Sequence, residues 1–485
     1  EYINMSRSLK QNFFFSSILT TANYIFPLLT YPYVSRVLGV NNIGICNFVD
    51  SIVSYYLIFS MMGITSLGIR EIAKNKNSPQ QLTISFNNLF ILNTITTIIT
   101  LVIYISFCIF SKKMHEYTDM MILGSFKIIF SYILIEWFYR GLEEFKYITV
   151  RTLIVKCLYV ISVFVFVKDN NDYKIYYFLS VLMIVVNAII NIKRCNKYIS
   201  FTLKNINFKS YLKPFFILGL DSICGAMYTT FNTAYLGFIT NDIQVGYYTT
   251  ATKLYYICSA LFSAFTGVMI PRLTVLLSEG KMKEYKHMLN NSNDILFSFL
   301  IPATIFLIID APEVIYLISG KGYEGAVTPM RIIMPLMVII GYKQIIVLQG
   351  FLPLGKNNAI LYNSVIGAFV SIISNICLVH LLYAKGSAIV WCLAEISGLI
   401  LSQYLIYKYI HMKFPYKLFF INFIIYIPIG VFLILLKYEI CNPILRLTVS
   451  LILLIIYFIV INVYVKRNNI IYNLLYTVKH KFFGL

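Results

Sequence analysis

Long runs of apolar residues alternate with short polar segments along the whole chain. A helix needs about 20 apolar residues to cross the hydrocarbon core of a bilayer, and runs of this length recur from one end of the sequence to the other. The runs are continuous, whereas the strands of a membrane barrel are short and alternate apolar with polar residues. The pattern predicts an all-α integral membrane protein with about fourteen transmembrane helices. We expect them near residues 12–35, 44–68, 83–110, 117–139, 147–167, 174–192, 213–239, 246–277, 292–309, 326–350, 358–382, 387–407, 418–436 and 444–465.

The basic residues in the loops predict the orientation of these helices. With fourteen spans and a cytoplasmic N-terminus, about 26 of the 40 Lys and Arg residues fall on one side of the membrane and about nine on the other. Cytoplasmic loops carry the excess of Lys and Arg in membrane proteins. We therefore predict that both termini are cytoplasmic, from Arg7 at the start to the tail that begins at Lys466.

Two halves of the chain share similarly spaced residues. A shift of 202 positions places Phe13 on Phe215, Tyr33 on Tyr235, Gly44 on Gly246 and Arg70 on Arg272. Each half then holds six spans, and an even number predicts parallel repeats related by an axis along the membrane normal. We predict a six-helix lobe at 1–192, a cytoplasmic linker at 193–212, a second six-helix lobe at 213–410, and two additional helices with a cytoplasmic tail at 411–485.

Composition agrees with lipid as the solvent and excludes several classes of function. Hydrophobic residues make up 59% of the chain and charged residues 12%, against about 45–50% and about 25% in soluble domains. The net charge of +20 would suggest nucleic acid in a soluble protein, but here the basic residues lie between apolar runs, where anionic lipid headgroups are their partners. We therefore predict membrane lipid, and no nucleic acid, as a partner.

Motifs for chemistry are missing from the sequence. The nine cysteines show no C-x-x-C spacing and the five histidines are scattered, so neither a disulfide framework nor a metal site is predicted. Residues 320–325 match G-x-G-x-x-G in form, but no strand precedes them, and we interpret them as a tight turn. We predict no cofactor and no enzyme activity. A membrane-embedded glycan polymerase or ligase is an alternative that would require a catalytic outer loop.

Charged residues within the predicted spans are the candidates for function. A charge near the bilayer centre costs at least about 2.5 kcal/mol, so each one requires a partner, water or a role. The charged residues in the spans are Asp50, Lys127, Glu136, Lys156, Asp221, Lys253, Arg331, Lys343 and Glu395. A basic interior suits an anionic cargo such as a phosphate or pyrophosphate group. The alternative is that several of them extend to the interface or form ion pairs across helices, for example Glu136 with Lys127.

These considerations give two sets of candidate residues. The candidate substrate-binding cations are Arg36, Lys127, Lys253, Arg272 and Lys343. The candidate acids for coupling to Na⁺ or H⁺ are Asp50, Glu136 and Asp221. An intramembrane carboxylate is a recurring element of ion and proton pathways.

Several segments resemble a known family. Residues 27–39, which read PLLTYPYVSRVLG and are followed by Gly44, are similar to the opening of bacterial polysaccharide exporters of the Wzx (O-antigen flippase) type. Further similar segments are 66–74 (SLGIREIAK), 245–253, 271–272 and 322–326. The resemblance implies the MATE-like fold of the multidrug/oligosaccharidyl-lipid/polysaccharide superfamily, with two lobes around a cavity that opens alternately to either side.

The resemblance also implies a function. Such proteins flip polyprenyl-pyrophosphate-linked oligosaccharides across the bacterial inner membrane, so the pyrophosphate would meet the basic interior while the prenyl chain stays in lipid. A polysaccharide polymerase and chain-length proteins are the implied protein partners. A multidrug or small-solute ion-coupled antiporter of the same fold is the alternative, and an acidic cavity would favour it.

Overall fold

The computed structural model describes residues 9–202 and 206–465, and these residues fold into helices with no β-strand among them. The predicted basic segments at Arg7 and from Lys466 onward, and three residues of the predicted linker, lie outside the described residues. The α-helices of the described chain are α1 Leu9–Met61, α2 Ile64–Asn75, α3 Pro79–Phe110, α4 Thr118–Ile133, α5 Glu136–Gly141, α6 Phe145–Phe166, α7 Tyr173–Cys195, α8 Lys209–Met227, α9 Thr230–Ile239, α10 Asp242–Ser278, α11 Met282–Ile309, α12 Ala311–Ser319, α13 Val327–Ile333, α14 Leu336–Gln344, α15 Asn357–Ile410, α16 Tyr416–Glu439 and α17 Pro443–Val460.

Two of these helices are too long for a single crossing. Helix α1 has 53 residues and α15 has 54. At about 1.5 Å per residue each is about 80 Å long, more than twice the hydrocarbon core of about 30 Å. Each contains one residue outside the helical region, Gly39 (φ 71°) in α1 and Tyr383 (φ 53°) in α15. Gly39 adopts a conformation that lacks a steric penalty only for glycine, so the chain bends there, whereas Pro27 and Pro32 lie inside α1 without ending it.

Ten helices in the described residues are long and apolar enough to cross a membrane, or eleven when α8 and α9, bent by 45°, count as one crossing. That number treats α1 with α2, and the whole of α15, as single elements. The predicted total of fourteen spans therefore stays a prediction. The all-helical, multi-span class is confirmed.

Contacts group the chain into two units, the first formed by residues 1–260 and 360–398, the second by 261–359 and 399–485. The core of the first unit contains the fully buried residues Phe86, Trp137 and Phe138. The rings of Phe86 and Trp137 stack at 5.4 Å. These aromatic side chains hold α5 against α3. They therefore also fix the positions of the polar residues on α5.

A buried ion network holds the second unit together. Arg446 of α17 donates to Asp310 at 2.5 Å and also bonds to Glu313 of α12. Arg446 is 3% exposed and Asp310 is fully buried. Buried charges persist where they are paired and hydrogen-bonded, so this network joins α17 to α12. The predicted turn at 320–325 is confirmed nearby, since Gly320 and Gly322 both have positive φ.

Candidate functional site

A polar cavity of about 290 Å³ lies within the first unit. Its walls come from the second half of α1, from α9, from the first half of α10 and from α15. The lining residues are Asn47, Asp50, Ser51, Ser54, Thr229, Thr230, Thr233, Tyr248, Thr249, Thr252, Lys253, Tyr256 and Trp391. Every one of these side chains carries a hydrogen-bonding group, although the helices that present them are largely apolar.

Three of the predicted charges meet at this cavity. Asp50 and Lys253 line it, and Lys127 of α4 forms an ion pair with Asp50. The Nζ of Lys253 lies 4.5 Å from the ring centroid of Tyr31, an arrangement in which the electron-rich face of the ring stabilises the ammonium. Tyr31 is held in turn by a 2.7 Å hydrogen bond between its hydroxyl and Thr250. Lys253, Lys127 and Asp50 together carry one positive charge, and a second acid, Glu395, accepts from Nε1 of Trp391 at 3.4 Å behind the aromatic wall.

The remaining wall combines hydroxyl groups with aromatic rings. Tyr256 and Trp391 lie 5.7 Å apart between ring centroids. Tyr248 is fixed by Asn232, whose amide nitrogen donates to the tyrosine hydroxyl at 2.9 Å and to the carbonyl of Ser387 at 2.9 Å. Aromatic side chains that also carry a polar group suit ligands with both apolar and hydroxylated faces.

Helix α1 crosses α10 one turn away from the cavity, at two glycines. A Cβ on Gly44 would lie 3.1 Å from the backbone nitrogen of Gly246, and a Cβ on Gly246 would lie 2.7 Å from Cγ2 of Val40. Small residues allow helix backbones to approach this closely. Next to the crossing, Asn47 donates to the hydroxyl of Thr249 at 2.9 Å. The crossing therefore brings the cavity-lining parts of both helices together.

The contacts at this crossing follow the spacing of the predicted repeat. Gly44 with Gly246 and Asn47 with Thr249 are both pairs 202 residues apart. Further along, Asn42 donates to the carbonyl of Asn170 at 2.7 Å, and its counterpart Gln244 accepts from the backbone of Ala384 at 3.3 Å. Equivalent residues that touch each other are expected beside a two-fold axis, so these contacts support the repeat.

The other predicted site residues lie elsewhere. Arg36 and Arg272 are exposed, and Lys343 is buried on α14 of the second unit. Asp221 of α8 accepts a 2.7 Å hydrogen bond from Ser364. None of these four lines the cavity around Asp50, so their roles stay predictions.

The suggested ion pair between Glu136 and Lys127 is wrong. Glu136 accepts from Arg140 at 2.7 Å and lies 3.7 Å from Arg151, while Lys127 contacts Asp50. The two residues are nine positions apart, about 13 Å along a helix. Between them the chain breaks at Ile135, which has a positive φ of 38° and separates α4 from α5.

The sequence interpretation missed the uncharged residues of the site. Asn47, Tyr31 and Trp391 carry no charge that lipid would penalise strongly, so they did not stand out from their helices. One signal was available for Asn47, because the shift of 202 residues pairs it with Thr249 beside the paired glycines.

This arrangement defines a multi-span helical membrane protein with a charged cavity, and solved structures identify the fold. The chain is similar to the lipid II flippase MurJ in an inward closed conformation, with a TM-score of 0.76, 15% identity, and coverage of 93% of this chain and 98% of that one. It is similar to an inward-facing multidrug resistance MATE family transporter, with a TM-score of 0.60, 15% identity, and coverage of 81% and 98%. The predicted MATE-like fold is confirmed.

The sequence then gives the family. The protein-family model described as "Polysaccharide biosynthesis protein" matches residues 9–277 of this chain. Two curated proteins named "Putative O-antigen transporter" are similar to this chain. The one from Escherichia coli (strain K12) is 24% identical over 349 residues, covering 70% of this chain and 83% of its own, and the one from Shigella dysenteriae is 26% identical over 384 residues, covering 78% and 92%. The chain belongs to the polysaccharide biosynthesis protein family, and the resemblance to Wzx-type exporters is confirmed.

Proposed function

We propose that this protein flips a polyprenyl-pyrophosphate-linked oligosaccharide across the bacterial inner membrane by alternating access, without catalysing a reaction. The family, the O-antigen transporter names of two relatives and the fold shared with a lipid II flippase support the class of cargo. The predicted orientation, with both termini cytoplasmic, and the predicted lobes at 1–192 and 213–410 complete the proposal.

The observation that carries the proposal is the placement of Lys253 in the wall of the cavity. Lys253 lines the cavity together with Asp50, and its ammonium lies over the ring of Tyr31. An ammonium has three N–H donors, so that of Lys253 has capacity for a further acceptor. Lys127 lies beside it through the ion pair with Asp50. Charge-assisted hydrogen bonds from cations to phosphate oxygens are about twice as strong as neutral ones. We assign the pyrophosphate to Lys253 first and to Lys127 second, with Arg36, Arg272 and Lys343 as candidates for later steps of transport.

The rest of the cavity suits the sugar that follows the pyrophosphate. Ser and Thr hydroxyls both donate and accept, as sugar hydroxyls do, and the rings of Tyr256 and Trp391 offer apolar faces. A volume of about 290 Å³ is at the lower limit of small-molecule sites, which is about 300 Å³. The cavity therefore receives one end of the cargo, the pyrophosphate with its first sugar, and the prenyl chain stays in lipid.

Among the three candidate acids, Asp50 is the one we propose for coupling to Na⁺ or H⁺. It lines the cavity and its side chain is 40% exposed, so an ion or proton can reach it. Glu136 does not line this cavity and pairs with Arg140 and Arg151, and Asp221 is a second candidate beside Ser364. A polysaccharide polymerase and chain-length proteins stay the predicted protein partners.

The decisive experiment compares cells with and without the gene. We expect deletion to leave lipid-linked glycan on the cytoplasmic face of the inner membrane and to remove the corresponding surface glycan. Complementation with the wild-type gene restores the surface glycan, and complementation with Lys253→Ala does not. Unchanged surface glycan, with no intermediate accumulating inside, would overturn the proposal.

One observation favours the alternative, an ion-coupled antiporter for drugs or small solutes. Asp50 places an acid in the cavity, and an acid is what a cationic drug would require. The two functions differ in their response to substitution, because Asp50→Asn should abolish export of a cationic drug, whereas Lys253→Ala should leave such export intact. Loss of drug efflux in the deletion strain, with normal surface glycan, would favour the antiporter.

A further inference from the structure

A second charged cavity lies away from the one described above. It has a volume of about 460 Å³ and is formed by the first turns of α6 and the last turns of α7. Its polar lining includes Lys146, Tyr147, Arg151 and Arg194. This end of both helices is the end that the distribution of Lys and Arg predicts to face the cytoplasm.

Arg151 is the feature that points to a ligand. The residue is only 6% exposed and lies beside Tyr147, yet its buried Nε and Nη1 atoms make no hydrogen bond of good geometry. Its Nη2 atom donates to Thr152 at 2.8 Å and lies 3.7 Å from Glu136. An arginine has five N–H donors, and leaving buried donors unsatisfied is costly. An anionic acceptor in the cavity would satisfy them.

The charges around the cavity leave a positive excess. Glu136 is bound by Arg140 at 2.7 Å, and Glu144 by Arg194 at 3.5 Å. Arg151 shares Glu136 with Arg140, so the four cations Arg140, Lys146, Arg151 and Arg194 exceed the two acids by two positive charges. The guanidinium of Arg194 also lies 4.0 Å from the ring centroid of Tyr147, a contact that holds the ring within the cavity wall.

The apolar flank of the same cavity decides the class of ligand. Val150, Ile154 and Ile190 line it and are 44%, 56% and 38% exposed. Leu158, one turn after Ile154, is 56% exposed and continues the apolar stripe along α6. A free phosphate ion would use the cations alone, whereas a lipid would use both the cations and the stripe.

We propose that this cavity, between the cytoplasmic ends of α6 and α7, binds the phosphate headgroup of an anionic membrane phospholipid whose acyl chains lie along Val150, Ile154 and Leu158. Basic pockets between transmembrane helices on the cytoplasmic side are suited to such headgroups. The site is separate from the cargo cavity and does not depend on which molecule the protein transports.

The test is a binding titration of the full chain, purified in detergent and delipidated, followed by native mass spectrometry. Phosphatidylglycerol, cardiolipin and phosphatidylcholine with matched acyl chains are compared, with inorganic phosphate in a separate arm. We expect the anionic lipids to be retained over phosphatidylcholine. Arg151→Gln should weaken that retention about ten- to hundredfold, the value of a charge-assisted hydrogen bond, and Arg151→Lys should restore part of it.

Two further variants keep the proposal open to refutation. Lys146 is exposed, so Lys146→Glu should fold normally and should reduce lipid retention even if Arg151→Gln does not fold. Arg70→Gln removes an exposed arginine from α2 and should leave retention unchanged. Equal retention of phosphatidylcholine, binding of inorganic phosphate without lipid, or wild-type retention by Lys146→Glu would overturn the proposal. No glycan is present in the assay, so its failure is distinct from failure of the proposed transport function.

Discussion

The close crossing of α1 and α10 beside the cavity leads to a prediction about the separation of these two helices. A Cβ added at Gly246 would lie 2.7 Å from Cγ2 and 3.2 Å from the carbonyl carbon of Val40. Carbon atoms pack best at about 3.5–4.0 Å, so the helices must separate by about 1 Å. Because backbone atoms are involved, a rotamer change cannot relieve the clash. We expect Gly246→Ala to disfavour the closed crossing, meaning the state in which α1 and α10 are in contact at Gly44 and Gly246.

The size of the effect follows from the cost of overpacking, about 1–3 kcal/mol. If this cost applies only while the helices touch, it changes the ratio of closed to open crossings by about 5- to 150-fold. Gly44→Ala should act in the same direction, since its Cβ would lie 2.6 Å from the carbonyl carbon of Asp242. The two substitutions act on one crossing, so the double variant should cost less than the sum of the single ones.

Disulfide trapping measures the crossing directly. Asn47 and Thr249 are hydrogen-bonded at 2.9 Å, so cysteines at these two positions, in a chain whose nine native cysteines are replaced, should cross-link under mild oxidation. Gly246→Ala should slow the cross-linking by the same factor as the change in the ratio of closed to open crossings, about 5- to 150-fold. Gly225→Ala is the matched control, because a Cβ there meets only the Tyr228 hydroxyl, at 3.9 Å. Unchanged cross-linking in Gly246→Ala, or an equal loss in Gly225→Ala, would refute the reasoning.

Three further predictions concern the charged residues. Lys253→Ala and Lys127→Ala should reduce transport in proteoliposomes without reducing the amount of folded protein. The control Lys174→Ala removes an exposed ion pair with Asp119 and should leave transport unchanged. Equal transport rates in all three variants would contradict the assignment. Asp50→Asn and Lys127→Met should be coupled by about 1 kcal/mol in a double-mutant cycle of thermal unfolding, because the carboxylate is partly exposed; additive effects would mean that the ion pair contributes nothing. Arg446→Met should lower the free energy of unfolding by about 3–5 kcal/mol, because it leaves Asp310 buried without its partner. Arg331→Met, at an exposed arginine, is the control, and equal unfolding curves for the two variants would count against the buried network.

The fold was predictable because lipid imposes a strict rule on the sequence. Each crossing requires a long apolar run, and an intramembrane charge is expensive enough to stand out. Asp50, Lys127 and Lys253 were identified for this reason, and the structure brings the three together at one cavity.

Only some breaks in the helices were predictable in the same way. The break at Tyr383 lies between the predicted spans 358–382 and 387–407. Ile135 lies inside the predicted span 117–139 and adopts a positive φ that a β-branched residue disfavours, so the sequence did not indicate this break. Glu136 follows this break at the start of α5 and pairs with Arg140 one turn later in the same helix. The serine and threonine residues of the cavity wall were missed for another reason. A threonine in an apolar helix usually hydrogen-bonds to the backbone of its own helix, so its presence in the sequence does not indicate a binding site. Thr249 does so at 2.8 Å and still lines the cavity.

The predicted repeat accounts for a cavity to which each half contributes one hydroxyl and one charge, the two charges being of opposite sign. A shift of 202 residues places Asp50 on Thr252 and Ser51 on Lys253, so the two halves present Asp-Ser and Thr-Lys at the same two positions. Two equal cations facing each other across a two-fold axis would repel in a medium of low dielectric constant. Such a site would also suit a cargo with two equal ends. A lipid-linked glycan has a pyrophosphate at one end of its sugar and hydroxyls at the other. Divergence of the predicted repeat at these two positions therefore agrees with the proposed cargo.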